Sequence, residues 1–89
     1  MQMRLHVAFD VSLDSVTQSV ERLRAIGITP QNGSGDPIDE PVVIGWMPAA
    51  SVFFDDPDGH SLEYISMLDT QPRPEWGWVP LSEWTRRTA

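Results

Sequence analysis

The sequence has no cysteine and no lysine, and these two absences exclude several kinds of chemistry. All six of its basic residues are arginines. Without cysteine, thiolate catalysis, zinc fingers and iron–sulfur clusters are excluded within this chain. Without lysine, Schiff-base catalysis and the lysine of a P-loop are excluded as well. Two histidines remain as candidates for acid–base or metal chemistry, His6 and His60.

Positive charge and long apolar segments are also scarce. Thirteen acidic residues face six basic ones, for a net charge of −7. This balance argues against nucleic acid as a partner, because affinity for nucleic acid comes largely from cations that neutralise phosphates. No apolar run approaches the length of a membrane span, and the first ten residues, MQMRLHVAFD, lack the apolar core of a signal peptide. We therefore expect a cytoplasmic protein of one domain.

The first third of the chain predicts a strand followed by a helix. Residues 4–11 alternate between apolar and polar side chains, which is typical of a half-buried strand. Ser12 is a plausible helix N-cap, and Gly27 is suited to the position just after the helix. Between them, apolar side chains recur at steps of three and four residues: Leu13, Val16, Val20, Leu23 and Ile26.

The remainder predicts short strands and a C-terminal arm. Residues 28–31 suggest a short strand that enters a long loop, and residues 42–46 fit either a strand or an ordered return segment. Residues 51–55 and 60–67 predict a hairpin around the turn sequence DPDG. Residues 68–89 are rich in proline and tryptophan and are interpreted as an arm outside the module of residues 1–67. Within this arm Ser82 could cap a final helical turn.

The expected fold class is α+β, with a helix packed on one face of a sheet. The face toward the helix would carry Leu5, Val7, Phe9, Leu62 and Tyr64. The opposite face would then carry His6 and Glu63, whose imidazole and carboxylate are both good ligands for divalent metals. Two ligands are too few for a tight site, so a two-fold partner would have to double the pair. His6 could instead be an ordinary strand histidine, and a buried Glu63 could pair with an arginine.

The order of these elements resembles the vicinal-oxygen-chelate superfamily, which includes glyoxalase I, bleomycin-resistance proteins, fosfomycin-resistance enzymes and extradiol dioxygenases. Three segments carry the resemblance: LHVAFDV at residues 5–11, LDSVTQSVERLRAIGI at 13–28 and SVFFDDPDGHSLEYI at 51–65. The last is the most specific, because it joins an aromatic strand, a DPDG turn and a Leu-Glu pair. The family implies that two β-α-β-β-β modules form an open eight-stranded cup around one metal ion. This chain holds one module, so either two copies assemble the cup or the chain is half of a longer protein.

By this resemblance, His6 and Glu63 match the family's ligands for a divalent metal ion such as Zn, Ni, Mn or Fe. Glu63 would also be the catalytic base of a lyase or isomerase, a thiol transferase or a dioxygenase that acts on a small oxygen-bearing substrate. The alternative is a metal-free binding protein of the bleomycin-resistance type. Its cup would be lined by Trp46, Phe53 and Trp76. The tryptophans either cover apolar surface of the module or line the mouth of the cup and contact the partner; the second interpretation is favoured, because large aromatic residues are enriched in interface cores.

Overall fold

The computed structural model describes residues 6–89 as an α+β fold, and this confirms the predicted fold class. A mixed sheet of five strands carries two α-helices, and a short 3-10 helix spans Pro74–Trp76. None of the described helices is long and apolar enough to cross a membrane. In chain order the elements are β1 (His6–Asp10), α1 (Leu13–Ala25), β2 (Val42–Ile44), β3 (Ala49–Asp55), β4 (Ser61–Met67), β5 (Trp78–Pro80) and α2 (Leu81–Thr88).

The sheet has the strand order β1-β4-β3-β2-β5. β1 runs parallel to β4, and the other neighbouring pairs are antiparallel. A parallel pair requires a long crossover, and α1 with the strands that follow it supplies that crossover. β1 therefore forms one edge of the sheet and β5 forms the other.

Both ends of α1 follow from local sequence chemistry, as predicted. The Ser12 hydroxyl accepts a hydrogen bond of 3.1 Å from the backbone N–H of Ser15, which satisfies a free donor of the first turn. At the other end Gly27 adopts a φ of +81°, a conformation that costs little without a Cβ atom. Its N–H donates to Arg24 O at 3.0 Å and the N–H of Ile28 donates to Leu23 O at 2.9 Å, so the helix ends in a Schellman motif.

The β3–β4 hairpin closes around the predicted turn. The Asp56 carboxylate accepts the backbone N–H groups of Asp58 at 2.9 Å and His60 at 2.8 Å. Gly59 has a φ of +84°, which favours glycine at this position. The turn thus holds β3 and β4 in a register that pairs Phe53 with Glu63.

The hydrophobic core lies between the sheet and the two helices. Val16, Val20 and Leu23 form the buried stripe of α1, and Trp84 of α2 joins them with 1% of its surface exposed. The side chains they meet come from one face of the sheet, which we call the helix face: Val43, Ala50, Val52, Phe54 and Val79. The opposite face, here called the site face, carries the alternate residues of each strand.

The expectation that β1 is half-buried is wrong. All five of its residues are exposed, including Val7 at 40% and Phe9 at 44%, although both lie on the helix face by register. The reason is that α1 packs over β4 and β3, so the edge strand lies outside the area that the helix covers. Leu5, which was expected on the same face, lies outside the described residues.

The strand expected at residues 28–31 is also wrong. Only Gln31 pairs with the sheet, through an N–H bond to Phe53 O at 2.7 Å and a carbonyl that accepts the Phe53 N–H at 2.9 Å. Pro30 has no N–H to extend the ladder, which explains why the contact remains a single bridge. For residues 42–46, the strand alternative is correct over Val42–Ile44.

Residues 68–89, interpreted from sequence as an arm, pack closely on the rest of the protein. β5 pairs with β2, and α2 places Trp84 in the core. The expected capping role of Ser82 is wrong, because Pro80 occupies the N-cap position. Ser82 lies inside the first turn, and both its N–H and its hydroxyl donate to the Glu40 carboxylate, at 2.7 and 2.9 Å.

Candidate functional site

Strand register places His6 and Glu63 on the same face of the sheet. His6 lies beside Ser61 across the β1–β4 pair, and Glu63 is two residues further along β4. Because side chains alternate with a period of two, all three point to the site face. On the neighbouring strand, Phe53 and Asp55 pair with Glu63 and Ser61 and point the same way.

The side chains of His6 and Glu63 are in direct contact. Nε2 of His6 lies 3.0 Å from Oε1 of Glu63. An ionised carboxylate only accepts hydrogen bonds, so with Glu63 ionised the donor is the tautomer of His6 that carries its proton on Nε2. The His6 side chain is 53% exposed and the Glu63 side chain is 8% exposed. The pair therefore joins a buried carboxylate to an imidazole that solvent or a ligand can reach.

The burial of Glu63 follows from its position in the sheet. β4 lies between β1 and β3, so a residue in its middle is flanked on both sides. A buried carboxylate without a partner is costly, and His6 supplies a hydrogen bond. A metal or an arginine was the expected partner of Glu63, and the structure adds the imidazole of His6 to these alternatives.

Three rings extend across the site face from this pair. The ring centroids of His6 and Phe53 are 6.1 Å apart, and those of Phe53 and Trp78 are also 6.1 Å apart, in an edge-to-face arrangement. Such spacing is favourable for aromatic contacts. Of the three residues predicted to bind substrate, Phe53 is the one that lies beside the His6–Glu63 pair.

Trp46 and Trp76 are placed elsewhere. Trp46 lies in the connection between β2 and β3 and is 62% exposed. Trp76 packs edge-to-face on Trp84, with ring centroids 5.1 Å apart, and therefore lies on the helix side of the sheet. The guanidinium groups of Arg73 and Arg87 lie 5.6 and 5.1 Å from its ring. The structure does not bring Trp76 to the pair.

Trp78 was among the tryptophans considered for the mouth of the cup, but it was not among the residues predicted to bind substrate. The signal was the alternation in β5, where Val79 points into the core and Trp78 therefore points to the other face. That signal was hidden because β5 has only three residues, ends in proline and follows a segment with no strand pattern. Half of the Trp78 surface is exposed, so its ring is available to a ligand.

An imidazole nitrogen and a carboxylate oxygen are both donor types that suit divalent metals. In the structure Nε2 of His6 and Oε1 of Glu63 are hydrogen-bonded to each other at 3.0 Å, so a metal ion would have to replace the proton between them. From His6 to the C-terminus, no group of three or more histidine or carboxylate side chains converges on one point.

Comparisons with protein-family models, with curated proteins and with solved structures find no match to this chain.

Proposed function

We propose that this protein is a metal-dependent enzyme of the glyoxalase-like kind, in which two copies of the chain build one site. The observation that carries the proposal is the contact between His6 and the buried Glu63 on a sheet face that the two helices leave uncovered. The vicinal-oxygen-chelate resemblance of the sequence predicts these two residues as ligands, one from the first strand and one from the last strand of the module.

The residues that would hold the metal are His6 and Glu63 of each copy. Bound there, a divalent ion such as Zn, Ni, Mn or Fe acts as a Lewis acid toward adjacent oxygens of a small substrate. Glu63 has a second task in this proposal, because its carboxylate can take a proton from the substrate and return it. A lyase or isomerase reaction uses both halves of that proton transfer, and we therefore favour it over thiol transfer and ring cleavage.

The second copy is proposed to pair at β1. The edge at β5 is short and ends in Pro80, and both features disfavour pairing with a further strand. The edge at β1 is longer, and the side chains of Val7 and Phe9 beside it are exposed. Two β1 strands that pair about a two-fold axis bury these apolar groups and keep both site faces on one side. An eight-stranded cup formed by β1 to β4 of each copy is the expected result.

Native mass spectrometry of the whole chain tests the proposal, because it reports subunit number and bound metal together. We expect a dimer that takes up one ion per two chains after exposure to Zn²⁺, Ni²⁺, Mn²⁺ or Fe²⁺. His6→Ala and Glu63→Gln should each lower metal affinity by at least about tenfold. His60→Ala, which removes the imidazole of the β3–β4 turn, is the matched control and should bind metal normally.

Two results would contradict the proposal. One is a chain that takes up less than about a tenth of an ion per pair of subunits under these conditions. The other is equal metal affinity in His6→Ala and in the unmodified protein, because the ion would then be held elsewhere.

The contact between Phe53 and Trp78 favours a second candidate, a metal-free protein that sequesters small molecules. Exposed aromatic rings bind flat apolar groups, and the net charge of −7 attracts cations. After treatment with EDTA, a panel of cationic aromatic compounds should then raise the melting temperature, and Trp78→Leu should abolish the effect. An unchanged melting temperature across the panel excludes this candidate.

A further inference from the structure

A polar cleft lies beside the His6–Glu63 pair on the site face. It has a volume of about 490 Å³ and is formed by the loop around Gly33 together with the adjoining ends of β3 and β4. Ser61 lines the cleft and is the register partner of His6. Phe53 forms a second shared wall, since its ring contacts His6 and also lines the cleft. The cleft and the pair therefore lie on the same face of the sheet and are joined through Phe53 and Ser61, although neither His6 nor Glu63 lines the cleft itself.

The loop that closes the cleft is held in place by its own hydrogen bonds. The side-chain oxygen of Asn32 accepts the backbone N–H groups of Ser34 at 2.9 Å and Asp36 at 3.0 Å. Gly33 packs against Trp78, and a Cβ atom at this position would meet the indole ring at 3.3 Å. The cleft is thus formed before any ligand arrives, which lowers the entropic cost of binding.

Four neutral polar side chains line this cleft: Gln31, Asn32, Ser34 and Ser61. The Asn32 amide is used within its own loop, whereas the side chains of the other three make no hydrogen bond within the part of the chain that the structure describes. An amide and two hydroxyls can both donate and accept, as can the hydroxyl groups of a ligand. The Asp55 carboxylate also lines the cleft.

We infer that this cleft recognises the hydroxyl groups of a small, uncharged, sugar-like substrate. The C–H face of such a molecule would lie on Phe53, and its hydroxyls would bond to Gln31, Ser34 and Ser61. The inference rests on the proposed function for its catalytic meaning, because a hydroxy-carbonyl compound presents adjacent oxygens to the His6–Glu63 pair. Binding in the cleft itself requires neither metal nor His6.

The test is a titration of the ¹⁵N-labelled whole chain, without metal, followed by the chemical shifts of its backbone amides. The probes are D-ribose, 2-deoxy-D-ribose and cyclohexanol. We expect ribose to cause saturable shifts in the loop of residues 31–35 and at Phe53 and Ser61, with an affinity in the millimolar range. The deoxy sugar should bind several-fold more weakly, and cyclohexanol should leave these amides unchanged.

Gln31→Leu should weaken ribose binding about tenfold, because the variant loses hydrogen bonds and keeps most of the side-chain volume. Gln18→Leu, the same change on the exposed surface of α1, should have no effect. His6→Ala should bind ribose normally. The inference is overturned if ribose causes no saturable shift, if cyclohexanol shifts the same amides equally, or if Gln31→Leu binds ribose as well as Gln18→Leu. Failure of metal uptake leaves this titration unaffected and counts against the proposed function alone.

Discussion

Nε2 of His6 lies 3.0 Å from Oε1 of Glu63, although the two residues are 57 positions apart in the sequence. Parallel pairing of β1 with β4 causes this contact, because it places His6 beside Ser61. Glu63 lies two residues further along β4, so its side chain points to the same face as that of His6. A half-exposed imidazole and a buried carboxylate are thereby joined on the face away from the helices.

His6→Ala should destabilise the protein by about 1–3 kcal/mol, because it leaves the buried carboxylate of Glu63 without this hydrogen bond. Urea unfolding followed by circular dichroism measures the effect. In a Glu63→Gln background, His6→Ala should lower the free energy of unfolding by a smaller amount, since a neutral amide is easier to bury than a carboxylate. Equal losses in the two backgrounds would show that the two side chains are not energetically coupled.

Trp84→Ala should destabilise the protein by about 3–5 kcal/mol, because the indole is almost completely buried and its removal leaves a large cavity. The unfolding midpoint of the whole chain should fall, and far-ultraviolet and tryptophan signals should change together. Trp46→Ala, at an exposed position, is the control and should cost little. If only α2 melts early while the sheet stays folded, residues 68–89 form a separate unit.

Gly45→Ala should disrupt the contact between β2 and the segment before β5. The Gly45 N–H donates to Gly77 O at 2.8 Å and its carbonyl accepts the Arg73 N–H at 2.7 Å. A Cβ atom at this position would collide with the backbone oxygen of Arg73, which cannot turn aside as a side chain can. We expect a loss of at least about 2 kcal/mol in urea unfolding.

Gly33→Ala serves as the comparison for Gly45→Ala. The added methyl group there meets the ring of Trp78, a half-exposed side chain that can shift. Its loss in stability should be clearly smaller. A Gly45→Ala variant as stable as Gly33→Ala would mean that the backbone contact can be relaxed at little cost.

Acid should weaken α2 through Glu83. The hydrogen bond from Arg86, aided by the charges of Arg86 and Arg87, lowers the pKa of Glu83 below its usual value of 4.5. Because the pKa of Glu83 is lower in the folded state, its ionised carboxylate stabilises the protein at pH values above the pKa of the unfolded state. This stabilisation is lost as the pH falls through the folded-state pKa. The effect should be small and sensitive to salt, because the Glu83 side chain is partly exposed to solvent.

The difference in urea midpoint between the unmodified protein and Glu83→Gln measures this contribution. It should be present at pH 7 in low salt, shrink below pH 4.5 and shrink again in 1 M NaCl. A difference that does not depend on pH would assign the role of Glu83 to packing or helix propensity.

Much of the module of residues 1–67 could be predicted from local sequence patterns. The apolar stripe of α1 and its Ser12 and Gly27 ends determine the helix, and the DPDG turn determines the β3–β4 hairpin. The alternation of side chains in β1 and β4 also predicts that His6 and Glu63 share one face of the sheet, and their contact confirms this. These features depend on residues close together in the chain, so a single sequence is enough to find them.

The C-terminal segment could not be predicted in the same way. β5 is too short to show a strand pattern, and it is stabilised by its pairing with β2. The Glu40 carboxylate caps α2 by accepting the N–H of Ser82, which is 42 positions away in the sequence, and no local motif predicts this contact. The same limit explains why Trp78 was missed as a neighbour of Phe53.

The sequence alone determined which side chains share a face, because the periods of a strand and a helix are fixed by backbone geometry. The tertiary structure decided which of those faces are covered and which long-range partners meet. It left β1 exposed although its apolar residues alternate, and it brought Trp78 rather than Trp76 to the aromatic row beside His6. Burial depends on how far α1 and α2 reach over the sheet, and that reach is a property of the packed chain.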